Sequence, residues 1–455
     1  MVGEARLKLP RLTPAQALVV GFALTIAVGT VILMLPQATA SGEGADFTTA
    51  LFTATSAVCV TGLIVVDTAT YWSGFGQLII LLLIQIGGLG IMTMSTFVAL
   101  LLGRRVTLRG RLFLQEALGE STLAGLVRLT RYVLLTTALI EGTGALLLTL
   151  RWAQEFPLAK AAYFGLFHSV SAFNNAGFDL FSISLASYTT DFVTNVVITT
   201  LFIVGGLGFA VLLDVYFNFF LRGNGNHVGK SRLTLHTRLV LRLTLALLVF
   251  GTVFIFLVEA SNPATLRPLG LTDRLLASFF QAATPRTAGF NTLPIAEMQA
   301  PTLLLLMIFM FIGASPGSTG GGIKTTTFGS LVLAVWATVT GRHDIVVNEK
   351  RLARDIVERA LAITMISLGL IFTSTMVLLI TEKGRFLPIL FESMSAFGTV
   401  GLSMGVTQNL SVAGRVVVIL TMFIGRVGPL TMAEALARRR RKGELRYPEE
   451  RITVG

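Results

Sequence analysis

Thr55-Ser56-Ala57-Val58-Cys59-Val60-Thr61-Gly62-Leu63, Phe173-Asn174-Asn175-Ala176-Gly177-Phe178-Asp179, Thr284-Pro285-Arg286-Thr287-Ala288-Gly289-Phe290-Asn291 and Phe397-Gly398-Thr399-Val400-Gly401-Leu402-Ser403 are four versions of one pattern. In each, an aromatic or small-residue helix ends in a residue pair before a glycine. Gly62, Gly177, Gly289 and Gly401 are separated by 115, 112 and 112 residues, so the chain is a fourfold repeat.

Outward from each glycine the surroundings also repeat. An amphipathic segment precedes it: Asp46–Val58, Ala159–Phe173, Thr272–Thr284 and Arg385–Phe397. At 1.5 Å per residue, roughly 13 residues span about 20 Å, which dips halfway into a bilayer without crossing it. A long apolar helix lies before each such segment and another follows the glycine. Non-helical backbone at membrane depth survives only where protein buries it or where it lines a water-filled cavity. Four re-entrant loops about one axis therefore predict a pore.

Composition agrees with a membrane chain. Of 455 residues, 53% are hydrophobic and 13% charged, against about 25% charged in an ordinary soluble domain. Apolar stretches such as Leu18–Leu35, Leu78–Leu102, Leu303–Ile312 and Val416–Ile424 recur along the chain, and the first lacks the cleavage site of a signal peptide. The lone Cys59 excludes an internal disulfide and a cysteine metal site. Net charge is +12, but its distribution is lopsided. The amino-terminal tail and the Arg104–Arg131, Arg222–Arg242, Arg342–Arg359 and Arg438–Arg451 segments hold 26 of the 36 Lys and Arg. The intervening segments hold eight: Arg151, Lys160, Arg267, Arg274, Arg286, Lys383, Arg385 and Arg415. The positive-inside rule then places both termini in the cytoplasm.

A cation filter needs inward backbone carbonyls in place of a hydration shell, and glycine tolerates the backbone angles this takes. The expected filter residues are Val60, Thr61, Gly62, Asn175, Ala176, Gly177, Thr287, Ala288, Gly289, Thr399, Val400 and Gly401. Each follows the carboxyl end of a pore helix, whose negative dipole end favours a cation. The competing reading is that these glycines only pack helices together.

A second landmark lies 24 to 28 residues further on: Gly87-Gly88-Leu89-Gly90, Gly205-Gly206-Leu207-Gly208, Gly313 onward, and Gly425-Arg426-Val427-Gly428. In the third unit it expands to Gly313-Ala314-Ser315-Pro316-Gly317-Ser318-Thr319-Gly320-Gly321-Gly322-Ile323-Lys324, which five glycines and a proline keep from being regular helix. The expected gate residues are Arg426 together with Gly313, Ser315, Gly317, Ser318, Thr319, Gly320, Gly321, Gly322 and Lys324; the alternative for the loop is a cytoplasmic turn. It is no phosphate-binding loop, because Ile323 separates Gly322 from Lys324 and no strand precedes it. An arginine near the bilayer centre costs about 2.5–3.5 kcal/mol on insertion scales, so Arg426 should face water or a partner. Its two readings are an electrostatic barrier in a cation path and a structural pair with Asp214 or Glu392. Glu141, Asp214 and Glu392 read as hydrogen-bonding or interfacial groups ahead of a coupling-ion relay. The Arg438–Lys442 run reads as a surface for anionic headgroups or a docking partner.

The four glycine segments resemble the filter loops of the Trk/Ktr/HKT superfamily, and the resemblance covers nearly the entire chain. It implies an all-α integral membrane fold of four tandem units in pseudo-fourfold arrangement around a central ion pore. Glycine in all four loops implies potassium selectivity, whereas serine in the first accompanies sodium transport in some plant members. A first unit beginning near Leu12, without two extra helices, resembles the KtrB branch. The expected units are 12–103, 127–222, 236–341 with a gate loop at 313–324, and 354–437, followed by a basic tail, 438–455. The implied function is gated, passive potassium uptake by a protein that is not an enzyme, with an ion-coupled secondary transporter as the alternative. The implied assembly is a homodimer in membrane lipid beneath a cytoplasmic KtrA-type nucleotide-binding ring. No nucleic acid and no covalent cofactor are expected. Potassium is held at the filter alone, and sodium dependence stays open because no coordinating set is visible.

Overall fold

The computed structural model describes residues 13–90, 126–219, 233–342, 344–347 and 350–436. The basic tail, most of the Arg104–Arg131 segment and the second half of the Leu78–Leu102 stretch lie outside these residues.

Four long helices come first in their respective groups: α1 (Pro14–Leu33), α4 (Leu126–Trp152), α8 (Leu235–Glu259) and α12 (Arg354–Thr381). At 20 to 28 residues each, they are long enough for about 30 Å of hydrocarbon. Their outward faces are leucine and other large apolar residues, with Leu139 70% and Ile380 84% exposed, as lipid contact requires. Polar caps start two of them. Thr13 accepts from Gln16 N while Gln16 Oε1 accepts from Thr13 N at 3.1 Å, and Thr234 Oγ1 accepts from Thr237 N.

A short helix follows each long one: α2 (Phe47–Val58), α5 (Leu158–Phe173), α9 (Leu271–Ala283) and α13 (Phe386–Gly398). These coincide to within a residue or so with the four expected re-entrant segments. Their last turns are polar yet buried, with Thr55, Ser56, Ser169, Ser171, Ser278, Gln281, Ser393 and Ser395 all wholly covered. In lipid such a face must turn toward protein.

The third element of each group is α3 (Gly74–Leu89), α6 (Phe192–Leu207), α10 (Ala300–Phe311) or α14 (Val412–Val427). The sequence predicts long helices here; instead, three of them end at a glycine with positive φ, Gly90 (84°), Gly208 (94°) and Gly428 (94°). Beyond two of these the chain turns sharply, by 99° into α7 (Phe209–Phe219) and by 95° into α15 (Pro429–Leu436). Among the described residues, four single helices are long and apolar enough to span, or six spans if each bent pair counts as one. In the third group the chain runs without helix from Ile312 to Lys324 before α11 (Thr325–Val339). Among the described residues the strand pairing is a two-residue hairpin of Val346–Val347 (β1) with Lys350–Arg351 (β2), besides single bridges of Thr39 with Trp72 and Ile312 with Ile323.

Packing joins the groups in a circle. Each third element rests on the short helix of the next group: α3 on α5, α6 on α9, α10 on α13, and α14 back on α2. The glycines of the second landmark make close contact possible within each group. A Cβ on Gly87, Gly205 or Gly425 would strike the carbonyl oxygen of Val58, Phe173 or Phe397, the carboxyl end of the group's own short helix. Gly205→Ala should therefore lower stability by about 1–3 kcal/mol through overpacking. The melting temperature of the purified protein in detergent reads this, and an unchanged value would remove the packing role.

Candidate functional site

The loops after α2, α5, α9 and α13 share one unusual backbone. The residue two before each glycine is left-handed: Val60 (φ 56°), Asn175 (59°), Thr287 (73°) and Thr399 (49°). Three of these are β-branched, the class for which a positive φ costs most. The glycines follow at 85°, 68°, 80° and 95°. Strain repeated in register at four places is held by its surroundings.

The holding groups are hydroxyls in the last turn of each short helix, which the sequence reading missed. Ser56 O accepts from Thr61 N at 2.8 Å and Ser56 Oγ from Gly62 N at 3.1 Å. Ser395 repeats this, accepting from Val400 N at 2.9 Å and from Gly401 N at 3.1 Å. In the second loop Ser171 O accepts from Ala176 N at 2.7 Å, while Ser171 Oγ donates to Phe178 O at 2.7 Å. In the third, Thr284 takes the part, its O accepting from Ala288 N and its Oγ1 donating to Phe290 O. A serine six residues before the glycine in three units is a signal that aligning the repeats exposes.

These loops meet. A Cβ on Gly62 would strike Ala176 O and the Gly177 backbone; one on Gly177 would strike Ala288 O and Gly289. Likewise Gly289 faces Val400 O and Gly401, and Gly401 faces Thr61 O and Gly62. The glycines thus form a closed circuit in chain order, each against the carbonyl that precedes the next glycine. No side chain fits at these positions. The carboxyl ends of four short helices surround the circuit, bringing the negative ends of their dipoles.

On one side of the circuit lies a cavity of about 590 Å³ whose lining includes all four glycines. The residues two beyond them, Ile64, Asp179, Asn291 and Ser403, line it too. On the other side lies the 313–324 loop. Thr319 Oγ1 donates to Asn175 Oδ1 at 3.1 Å, and Asn175 Nδ2 donates to Thr287 Oγ1 at 3.1 Å. Gly321 N donates to Thr399 Oγ1 at 3.1 Å. Ser315 N and Thr319 N donate to Gly206 O and Gly205 O, and Phe209 N donates to Gly317 O. Within the loop, Ser318 Oγ donates to Ser315 O at 2.6 Å, Lys324 Nζ donates to Gly320 O at 2.7 Å, and Gly313 N donates to Ile323 O. Gly322 crosses at φ 67°. The loop is thus strung beneath three of the four strained residues.

Arg426 completes this layer. Its guanidinium donates to Thr319 O, Gly87 O and, at 3.3 Å, Gly88 O. It therefore ties the loop to the carboxyl end of α3, where a cation also meets the helix dipole favourably. The alternative pairing with an acid is not what forms. Asp214 accepts from Thr234 and Asn218, and Glu392 from Ser403 and Thr407. Glu141 accepts from Asn174 Nδ2 at 2.9 Å and Gln85 Nε2 at 3.2 Å, a hydrogen-bonding role as expected. Arg286, counted among the charges of the intervening segments, is 7% exposed behind the third loop, with Nη2 donating to Thr244 Oγ1 at 3.2 Å. Cys59 is free and buried among packing residues. Among the described residues no three His, Cys, Asp or Glu side chains cluster as metal ligands.

A family described as "TrkH: Cation transport protein" matches residues 15–440. The Ktr system potassium uptake protein B of Bacillus subtilis (strain 168) is 43% identical over 449 residues, spanning 99% of this chain and 98% of its own. The potassium/sodium uptake protein NtpJ of Enterococcus hirae is 39% identical over 451 residues, 98% of each chain. Among solved structures, the potassium transporter TrkH from Vibrio parahaemolyticus superposes with a TM-score of 0.75 over 95% of this chain and 86% of its own, at 17% identity, a likeness of fold. With a matching family over almost its whole length and relatives this similar end to end, the chain belongs to the TrkH family of cation transport proteins, multi-pass membrane proteins rather than enzymes.

Proposed function

We propose that the protein takes up potassium across the cell membrane through one selective, gated pore formed by its four units, 12–103, 127–222, 236–341 and 354–437. The observation that carries this is the closed circuit of Gly62, Gly177, Gly289 and Gly401 against the carbonyls of Thr61, Ala176, Ala288 and Val400. Oxygens fixed in a ring can stand in for water around a dehydrated cation, and the strain at Val60, Asn175, Thr287 and Thr399 keeps them from relaxing toward a smaller ion. Glycine in all four loops and the name of the Bacillus relative support potassium. The Enterococcus relative's name supports a role for sodium as well, which the geometry does not locate.

In this reading the cavity is the outer vestibule and the 313–324 loop is the gate. A cation leaving the filter meets Thr319 to Gly321 hydrogen-bonded across its path and a guanidinium behind them. Opening requires Arg426 to release Thr319 O together with the Gly87 and Gly88 carbonyls, and requires Asn175 and Thr399 to give up their bonds to the loop. Those exchanges are of neutral or charge-assisted hydrogen bonds for water, each about 0.5–3 kcal/mol net, within reach of a regulatory subunit. The relatives' designation as a Ktr system supports such a partner. The assembly that fits is a homodimer in lipid, both termini cytoplasmic, beneath a KtrA-type nucleotide-binding ring. Potassium is cargo here, and no covalent cofactor takes part.

Gly62→Ser puts a Cβ against Ala176 O at a φ of 85°. The expected result is a fall in potassium preference over sodium, read by competitive isotope uptake into proteoliposomes; an unaltered ratio would remove the filter assignment. Arg426→Ala should raise potassium flux several-fold, since it deletes both the positive charge and the tie between loop and α3. A folded variant with wild-type flux would count against the gate.

A further inference from the structure

The repeat position immediately above the glycine circuit is held by four different side chains: Ile64, Asp179, Asn291 and Ser403. All four line the vestibule, and Asp179 is the one ionisable residue among the described residues lining it. Its carboxylate is fixed, with Oδ1 accepting from Phe181 N at 2.9 Å. Two further carboxylates stand just behind lining hydroxyls. Asp67 accepts from Ser182 Oγ at 2.6 Å and from Thr70 Oγ1 at 2.8 Å. Glu392, wholly buried, accepts from Ser403 Oγ at 2.7 Å and from Thr407 Oγ1. Ser182, Ser403 and Thr407 all line the cavity. Among the described residues lining the chamber, no lysine, arginine or histidine offsets the Asp179 carboxylate.

We propose that Asp179 is the vestibule carboxylate that concentrates the permeant cation above the filter and so sets the apparent affinity of uptake. A cleft with low-dielectric walls and one sign of charge focuses field lines and raises the local counter-ion concentration. Here the walls are the apolar faces of Leu63, Ile64, Phe178, Ile295 and Leu402. The hydroxyls of Ser182 and Ser403 donate to Asp67 and Glu392, so neither offers a hydrogen to the cavity. Asp179 acts on how many ions wait at the mouth; the glycine circuit acts on which ion enters. The proposal rests on the filter reading above, yet the two fail separately, because one is read in KM and the other in a selectivity ratio.

Asp179→Asn isolates the charge, since the amide Oδ1 can still accept from Phe181 N. The full-length protein in proteoliposomes would be assayed for initial potassium uptake against external potassium, at low ionic strength and with added choline chloride. The expected result is a KM raised about three- to tenfold at low ionic strength, with Vmax within about twofold and the potassium-to-sodium ratio unchanged. Added salt should raise the wild-type KM toward that of the variant, whose own KM stays flat, because exposed charges are screened over about 10 Å at 0.1 M. Asp179→Glu should restore a low, salt-sensitive KM. A wild-type KM in Asp179→Asn at low ionic strength overturns the proposal. So does a raised KM that Asp179→Glu shares and that salt does not move, which would assign Asp179 to loop structure alone.

Discussion

At the heart of this chain four glycines meet with no room for one more carbon atom at any of them. Where Gly62, Gly177, Gly289 and Gly401 meet the carbonyls of the neighbouring loops, any Cβ would overlap an oxygen. That absence lets four strands of backbone approach one another closely enough to enclose an axis. Much else in the molecule serves it. Short helices bring the loops together, buried serines hold them in a strained conformation, and the third elements of each group pack on those helices.

The fold was largely legible from the residues, because the repeat multiplies every weak signal by four. A 13-residue amphipathic segment is ambiguous alone, but four of them at a constant distance before a glycine describe α2, α5, α9 and α13 to within a residue or so. The break at 313–324 was legible because proline and five glycines exclude helix. What escaped notice were properties of contact. Left-handed Val60, Thr287 and Thr399 run against their own preference, so composition points the wrong way and only neighbouring hydrogen bonds explain them. Ser56, Ser171 and Ser395 look like small residues on a membrane helix until their partners are known. That the Arg286 side chain reaches Thr244 is likewise a matter of contact that its place in the third loop does not reveal. The circular order of the units is invisible in one dimension.

Fourfold likeness makes the departures from it informative. Two units differ where the second landmark falls, the third with its twelve-residue loop and the fourth with Arg426, and the structure joins these two departures by a hydrogen bond between Arg426 and Thr319 O. Symmetry suits a site that surrounds a spherical ion. In the proposed gate, one loop held from one side by one arginine would supply a single lever instead of four that must act together. The cavity beside the glycine circuit shows the same division, with one carboxylate among four equivalent positions.

The circular packing carries a consequence for how the molecule comes into being. Since α14 rests on α2, and Gln16 on the first helix donates to Ala435 O near the last, the earliest group made by the ribosome finds its final neighbour only when the latest group arrives. Until then the face of α2 that α14 covers, including Thr48 and Thr49 that take hydrogen bonds from Arg415, has no protein against it. Biogenesis of such a ring is therefore a waiting problem. Nascent hairpins must be sheltered, by the insertion machinery or by one another, until the closing segment is delivered, and a chain that stops short leaves a seam facing lipid instead of a smaller channel.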